Sequence, residues 1–387
     1  MMAPSVFFSS KGAPCASGDL GTPANGRSQV PFTTPLRRCF VFRKVGTLFL
    51  AATALMLWTN EAQSQAVITN GVVTLGVNAA GHLNFGGFGL SVGGFESTLD
   101  GCPCEGWGAG VVGGTYDGLS AGWNQTYGGL VNGGGVGSVV SFASDGVMAT
   151  SVTRISTVGG DDVLEITHEY KPSASPDLYE VNVTIKNLTG ETIGNGVDGI
   201  RYRRLMDWDI QPTSFSEYVT INGNGASALL GTSDDGFDLP LPGGLGGTRR
   251  SVCGGSPVDA DFVDNGPCDH GALFDFGFGD LAAGESRMFT TFYGGSTSEA
   301  GMFAALAAVG AEDVYSFGQC NSAGDARCDE VVGSPITFAF AFKGVGGGTV
   351  GDPPTSVPEP GTMLLIATGL LGIAARRRTS LEVEDDV

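Results

Sequence analysis

Apolar and polar residues alternate along much of the middle of this chain. Residues 147–157 (VMATSVTRIST), 163–170 (VLEITHEY) and 178–187 (LYEVNVTIKN) put apolar side chains at nearly every second position. That period belongs to a strand with one buried face and one wet face. Turn-rich segments, 159–162 (GGDD) and 172–177, separate the three. Residues 67–75 (VITNGVVTL) set Asn70-Gly71 between two β-branched runs, which predicts a hairpin. Residues 200–210 (IRYRRLMDWDI), 287–293 (RMFTTFY) and 335–342 (PITFAFAF) continue the strand pattern. One segment departs from it. Residues 298–311 (SEAGMFAALAAVGA) are rich in Ala, Leu and Met and predict a single short helix. Ser296 or Ser298 caps its start, and Gly310 lies near its end. Strands divided by turns, with one helix, predict an all-β fold, an antiparallel β-sandwich.

Composition adds loops to that picture. Of 387 residues, 64 are glycine and 18 proline, yet 42% are hydrophobic, enough for a packed core. The glycines follow no three-residue period, which excludes collagen. The clusters in 106–114, 128–137 and 243–247 read as long glycine-rich surface loops. Residues 344–356 (GVGGGTVGDPPTS) read as a flexible linker.

The ends of the chain carry a different signal. Arg43 and Lys44 precede the apolar run 45–58 (VGTLFLAATALMLW), and Ser64-Gln65-Ala66 follows. Basic region, apolar core and small residues at Ser64 and Ala66 make a signal peptide over 41–66, with cleavage before Val67. Residues 1–40 lack any periodic pattern. They are either a long disordered leader or the product of a start placed upstream of Val41 or Val45. At the other end, Val357-Pro358-Glu359-Pro360 precedes the apolar run 361–375 (GTMLLIATGLLGIAA) and Arg376-Arg377-Arg378. The run favours lipid, and the arginines hold its far end in the cytoplasm.

This C-terminal arrangement resembles the PEP-CTERM sorting signal of Gram-negative bacterial exported proteins. The resemblance covers 357–378 and implies recognition by an exosortase, a membrane-embedded protease-transpeptidase. It also implies processing near Pro358-Glu359-Pro360, transient anchoring in the membrane, and delivery to the cell envelope or the extracellular polysaccharide. The acidic tail 379–387 (TSLEVEDDV) departs from that pattern. The expected order is leader 1–40, signal 41–66, ectodomain 67–343, linker 344–356, sorting signal with a transmembrane helix 357–378, and tail 379–387. Residues 101–108 (GCPCEGWG), 202–210 and 284–319 look similar to a module of secreted bacterial proteins with varied anchors, a likeness that carries no activity.

Within 67–357 there are 11 basic and 33 acidic residues, a net charge of −22. Such a surface excludes nucleic acid as a partner and favours divalent cations. Six cysteines lie there, and export makes disulfides the expectation. Proximity favours Cys253–Cys268 and Cys320–Cys328, with Cys102 and Cys104 bridged across one residue or reduced. Asp259, Asp261 and Asp264 in 258–266 (VDADFVDNG) are the leading calcium ligands, and Asp234, Asp235 and Asp238 form a second acidic run. No other cofactor is expected. Asp207 and Asp209 flank Trp208, on the same side of a strand. They read first as ion-pair partners of Arg201, Arg203 or Arg204, and second as a glycan-hydrolysing or glycan-binding pair. His82, His168 and His270 read as structural, and no Gly-x-Ser-x-Gly elbow occurs. The expected function is a non-enzymatic, structural or adhesive envelope protein, with a carbohydrate-active protein as the alternative.

Overall fold

The structure, a computed structural model, describes residues 65–321, 328 and 335–350. Its strands begin with β1 (Gln65–Thr69), β2 (Val73–Asn78), β3 (Leu90–Val92), β4 (Phe95–Glu96), β5 (Glu105–Val111) and β6 (Ser120–Asn124). Next come β7 (Gly129–Asn132), β8 (Val136–Ser144), β9 (Ala149–Ser156), β10 (Asp162–Pro172), β11 (Leu178–Asn187) and β12 (Ile200–Asp207). The chain continues through β13 (Glu217–Asn222), β14 (Leu229–Ser233), β15 (Phe262–Cys268), β16 (Gly271–Gly277) and β17 (Ser286–Ser296). Helix α1 (Glu299–Val309) and strands β18 (Tyr315–Gln319) and β19 (Thr337–Lys343) complete the described fold.

These strands form three antiparallel sheets. The first is β1-β2-β3-β4, the second β15-β13-β18-β19-β17-β11-β10-β9-β8, and the third β14-β16-β12-β5-β6-β7. The alternating segments pair as their pattern predicts, with Ile166 opposite both Thr153 on β9 and Ile185 on β11. The Asn70 turn closes β1 against β2 through its Oδ1, which accepts from the amides of Val72 and Val73. Helix α1 starts at Ser298, whose Oγ accepts from the Gly301 amide at 3.1 Å. It ends at Gly310, which takes the left-handed conformation at φ 63°.

Aromatic rings join the second sheet to the third. Phe274 and Phe276 on β16 meet Phe340 and Phe342 on β19, and Tyr202 on β12 meets Phe289 on β17. Trp107 on β5 lies 4.5 Å, centroid to centroid, from His168 on β10. Burial of side chains this large is the main source of stability for such a layer.

Two of the three glycine clusters are strands rather than loops. Cluster 106–114 contributes β5, every residue of which is buried, and cluster 128–137 contributes β7 and the start of β8. The cause is close approach of another segment. A Cβ on Gly108 or on Gly122 would sit 1.8 Å from the Pro240 carbonyl oxygen, so both positions must stay bare where that segment crosses the sheet. Only 243–247 forms a turn, closed by a bridge between Gly243 and Gly247.

The predicted signal peptide, apart from Gln65 and Ala66, and the segments beyond residue 350 lie outside the described residues. Ala66 itself is a buried residue of β1, opposite Val77. Among the described residues no helix is long and apolar enough to cross a membrane.

Candidate functional site: a buried carboxylate cluster

The third sheet delivers Asp207 to one end of the fold. Strand β12 stops there, and the next residues keep bonding to neighbouring backbone. The amides of Asp207, Trp208 and Asp209 donate to the carbonyls of Cys104, His270 and Ser97. Trp208 turns into the core, is fully buried, and donates from Nε1 to Ser316 Oγ at 3.0 Å. Its indole occupies the space over Gly318, where a Cβ would meet it at 2.5 Å. With Trp208 directed inward, Asp207 and Asp209 come together on the other side.

One carboxylate oxygen each of Asp207, Asp209 and Asp269 lies within 4.8 Å of the other two. Asp207 and Asp209 are buried, while Asp269, between β15 and β16, is exposed. No donor reaches Asp207 Oδ1 or either Asp209 oxygen. The Cys102 sulfur lies 3.6 Å from Asp207 Oδ2. It belongs to the Cys102–Cys104 disulfide and has no proton to give. Fully buried Glu217, at the start of β13, adds its charge, and the amides of Phe215, Ser216 and Glu217 lie near its carboxyl without completing hydrogen bonds. Phe215 covers Gly101 beside Asp209 with a backbone φ of 74°, a strained value for a bulky residue.

The electrostatics follow from this arrangement. Burial first, then the neighbouring charges of Asp209, Asp269 and Glu217, hold Asp207 well above the usual carboxylate range. Burial and Asp269 push Asp209 up to about 7, and burial pushes Glu217 up to about 8. Asp207 and Asp209 are close enough to share a proton.

The expected ion pairing of Asp207 and Asp209 with the arginines of β12 does not occur. Arg201 pairs with Asp198, Arg203 with Asp238 and Asp275, and Arg204 with Glu105. All three arginines precede the aspartates on the strand, and their guanidiniums are taken by acids of flanking segments.

The calcium ligands read from 258–266 disperse. Asp259 meets Arg249 and the Thr232 amide, Asp261 accepts from the amides of Gly223 and Asn224, and Asp264 bonds Thr220. The second acidic run is occupied too. Asp234 accepts from the amides of Val252 and Cys253, Asp235 pairs with Arg250, and Asp238 with Arg203.

Cys320 and Cys328 are bridged, as their spacing predicts, and so are Cys102 and Cys104. Cys253 and Cys268 stand within hydrogen-bond reach of each other as free thiols, a departure from the expected bridge, and burial pushes the Cys253 thiol up to about 12. The three histidines are buried. His82 Nδ1 meets the Leu83 carbonyl, His168 Nε2 meets the Tyr202 hydroxyl, and His270 Nδ1 meets Asp234. His270 Nε2 has no hydrogen-bond partner, so no nucleophile completes the His270–Asp234 pair.

Sequence reasoning found Asp207 and Asp209 but missed Asp269 and Glu217. Asp269 sits next to His270, and only the β15–β16 turn carries it to the end of β12.

No curated protein matches the chain. Residues 356–378 match the family model of the PEP-CTERM protein-sorting motif. That match coincides with the motif Val357-Pro358-Glu359-Pro360, the apolar run and Arg376 to Arg378, and implies export, transient membrane anchoring and exosortase processing. The chain is therefore a PEP-CTERM domain-containing protein.

Proposed function

We propose that this protein is a structural or adhesive component of the cell envelope or extracellular matrix, associated with exopolysaccharide. Its ectodomain, residues 67–343, is a β-sandwich built from the second and third sheets. The observation that carries the reading is the sorting motif at 356–378 attached to an acidic, β-rich body. The burial of the carboxylate cluster supports it over the carbohydrate-active alternative. A glycosidase needs two carboxyls flanking a bound sugar ring, about 5–9.5 Å apart. Asp207 and Asp209 are buried side by side, and Trp208 has no exposed face on which a sugar can stack. The test is retention. The processed protein should remain with the envelope or matrix fraction of intact cells and be freed when the polysaccharide is stripped enzymatically. Recovery of all of it in the medium, whether or not polysaccharide is present, overturns the reading.

A further inference from the structure

We propose that Asp207, Asp209 and Asp269 bind one calcium ion, and that this ion ties the end of β12 to the β15–β16 turn. Two observations carry it independently. The first is convergence, with three carboxylates from separate segments bringing oxygens within 4.8 Å of one another. The second is the state of the buried members. Asp209 is fully buried with neither oxygen satisfied, and Asp207 is 1% exposed with Oδ1 unsatisfied. Buried Glu105 and Asp275 have cationic partners in Arg204 and Arg203, whereas Glu217, beside the cluster, shares its lack of donors. An acid left without a donor in a dry site costs free energy unless a cation or a proton supplies the missing positive charge.

The chemistry selects calcium. The two sulfurs beside Asp207 are joined in a disulfide, so no thiolate is present to select zinc. The ligands that remain are carboxylate oxygens, which suit hard cations. They come from the end of β12, the segment just beyond it and a turn, an irregular set. Calcium tolerates irregular geometry and takes about 6–8 oxygens, whereas magnesium demands a near-ideal octahedron. Three carboxylates binding through one or two oxygens each supply part of that shell. Water from the side of exposed Asp269 would supply the rest. Extracellular calcium modules bind in the range of about 10⁻⁴–10⁻³ M, and an exported protein meets calcium outside the cell. The site lies apart from Asp259, Asp261 and Asp264, which bond to other groups.

The experiment is calorimetric titration of the chelator-treated full chain with calcium chloride. The expected result is saturable binding of one calcium per chain. D207N/D209N should weaken it at least tenfold, and D259N/D261N should leave it unchanged. Because the double variant alters buried groups, D269N serves beside it, since Asp269 is exposed and its loss should not unfold the chain. It should also weaken binding severalfold. Absence of saturable binding in the parent overturns the proposal and leaves a proton shared by Asp207 and Asp209 as the account of the cluster. Binding that survives unchanged in D269N, or that is lost in D259N/D261N, overturns it as well.

Discussion

Glu105 Oε1 lies 2.5 Å from Arg204 Nη2, and both side chains are fully buried. The pair sits between two sheets. Glu105 is on β5 and Arg204 on β12 of the third sheet, while Tyr293, on β17 of the second, donates to Glu105 at 3.2 Å and presents its ring to the guanidinium. The amide of Leu83 occupies the other Glu105 oxygen. A buried pair held this way adds little net stability against apolar residues of equal size, but its separation is costly. R204M alone should therefore lower the unfolding free energy by about 3–5 kcal/mol, because it strands Glu105. E105L/R204M should recover most of the loss. Urea unfolding of the three proteins measures it. Equal midpoints for R204M and the parent contradict the role assigned to the pair.

His82 contributes less to stability in mild acid than at neutral pH. Burial, opposed by its bond to the Leu83 carbonyl, lowers its pKa from 6.5 to about 4. The fold holds the ring neutral, while the unfolded chain lets it protonate near 6.5. Its contribution is thus complete above pH 6.5 and is lost as pH falls toward 4. At about 1.4 kcal/mol per pKa unit, the loss is about 2 kcal/mol at pH 5. Asp209 and Glu217, pushed up by burial, gain stability over the same range, and lowered His168 loses it, so the readout is the comparison with H82Q: from pH 7 to pH 5 the parent should lose about 2 kcal/mol of unfolding free energy relative to H82Q. Equal changes in the parent and H82Q reject the assignment.

Cys253 and Cys268 face each other as thiols, and an oxidising compartment should close them. The two lie 15 positions apart, a separation for which a bridge contributes about 3 kcal/mol in the chain-entropy account. Peptide mapping of exported protein without reductant should recover Cys253–Cys268 beside Cys320–Cys328. Free Cys253 and Cys268 in that material show that the pair remains open.

We propose that Arg376, Arg377 and Arg378 fix the topology of the C-terminal segment. Moving a guanidinium to the centre of a bilayer costs roughly 2.5 kcal/mol or more on insertion scales. Replacing all three with Gln should let the tail slip outward, so that fractionation finds the protein released and untrimmed. Retention and trimming like the parent contradict this placement.

The strands that can be read from the sequence are those with one wet face. Residues 163–170 and 178–187 alternate because one side of the second sheet meets solvent there, and β10 and β11 lie where the pattern puts them. Strands β5, β6 and β16 are buried on both faces, which erases the period, and glycine in β5 and β6 gives them the composition of loops. The helix was legible from its residues and caps. At the site, Asp207 and Asp209 announce themselves by spacing. Asp269 and Glu217 do not, because only pairing between distant segments brings them near. The arginines of β12 illustrate the same limit, since proximity in sequence pointed to Asp207 and Asp209 while the fold supplied Glu105, Asp238 and Asp275 instead.

The most direct test of the account is the intact mass of the protein from cells with and without a functional exosortase. In cells with the enzyme, the mass should correspond to a chain that ends near Pro358-Glu359-Pro360 and lacks residues 361–387. In cells without it, the chain should keep that segment and stay in the membrane fraction. The same full-length mass and the same location in both contradict sorting through this motif.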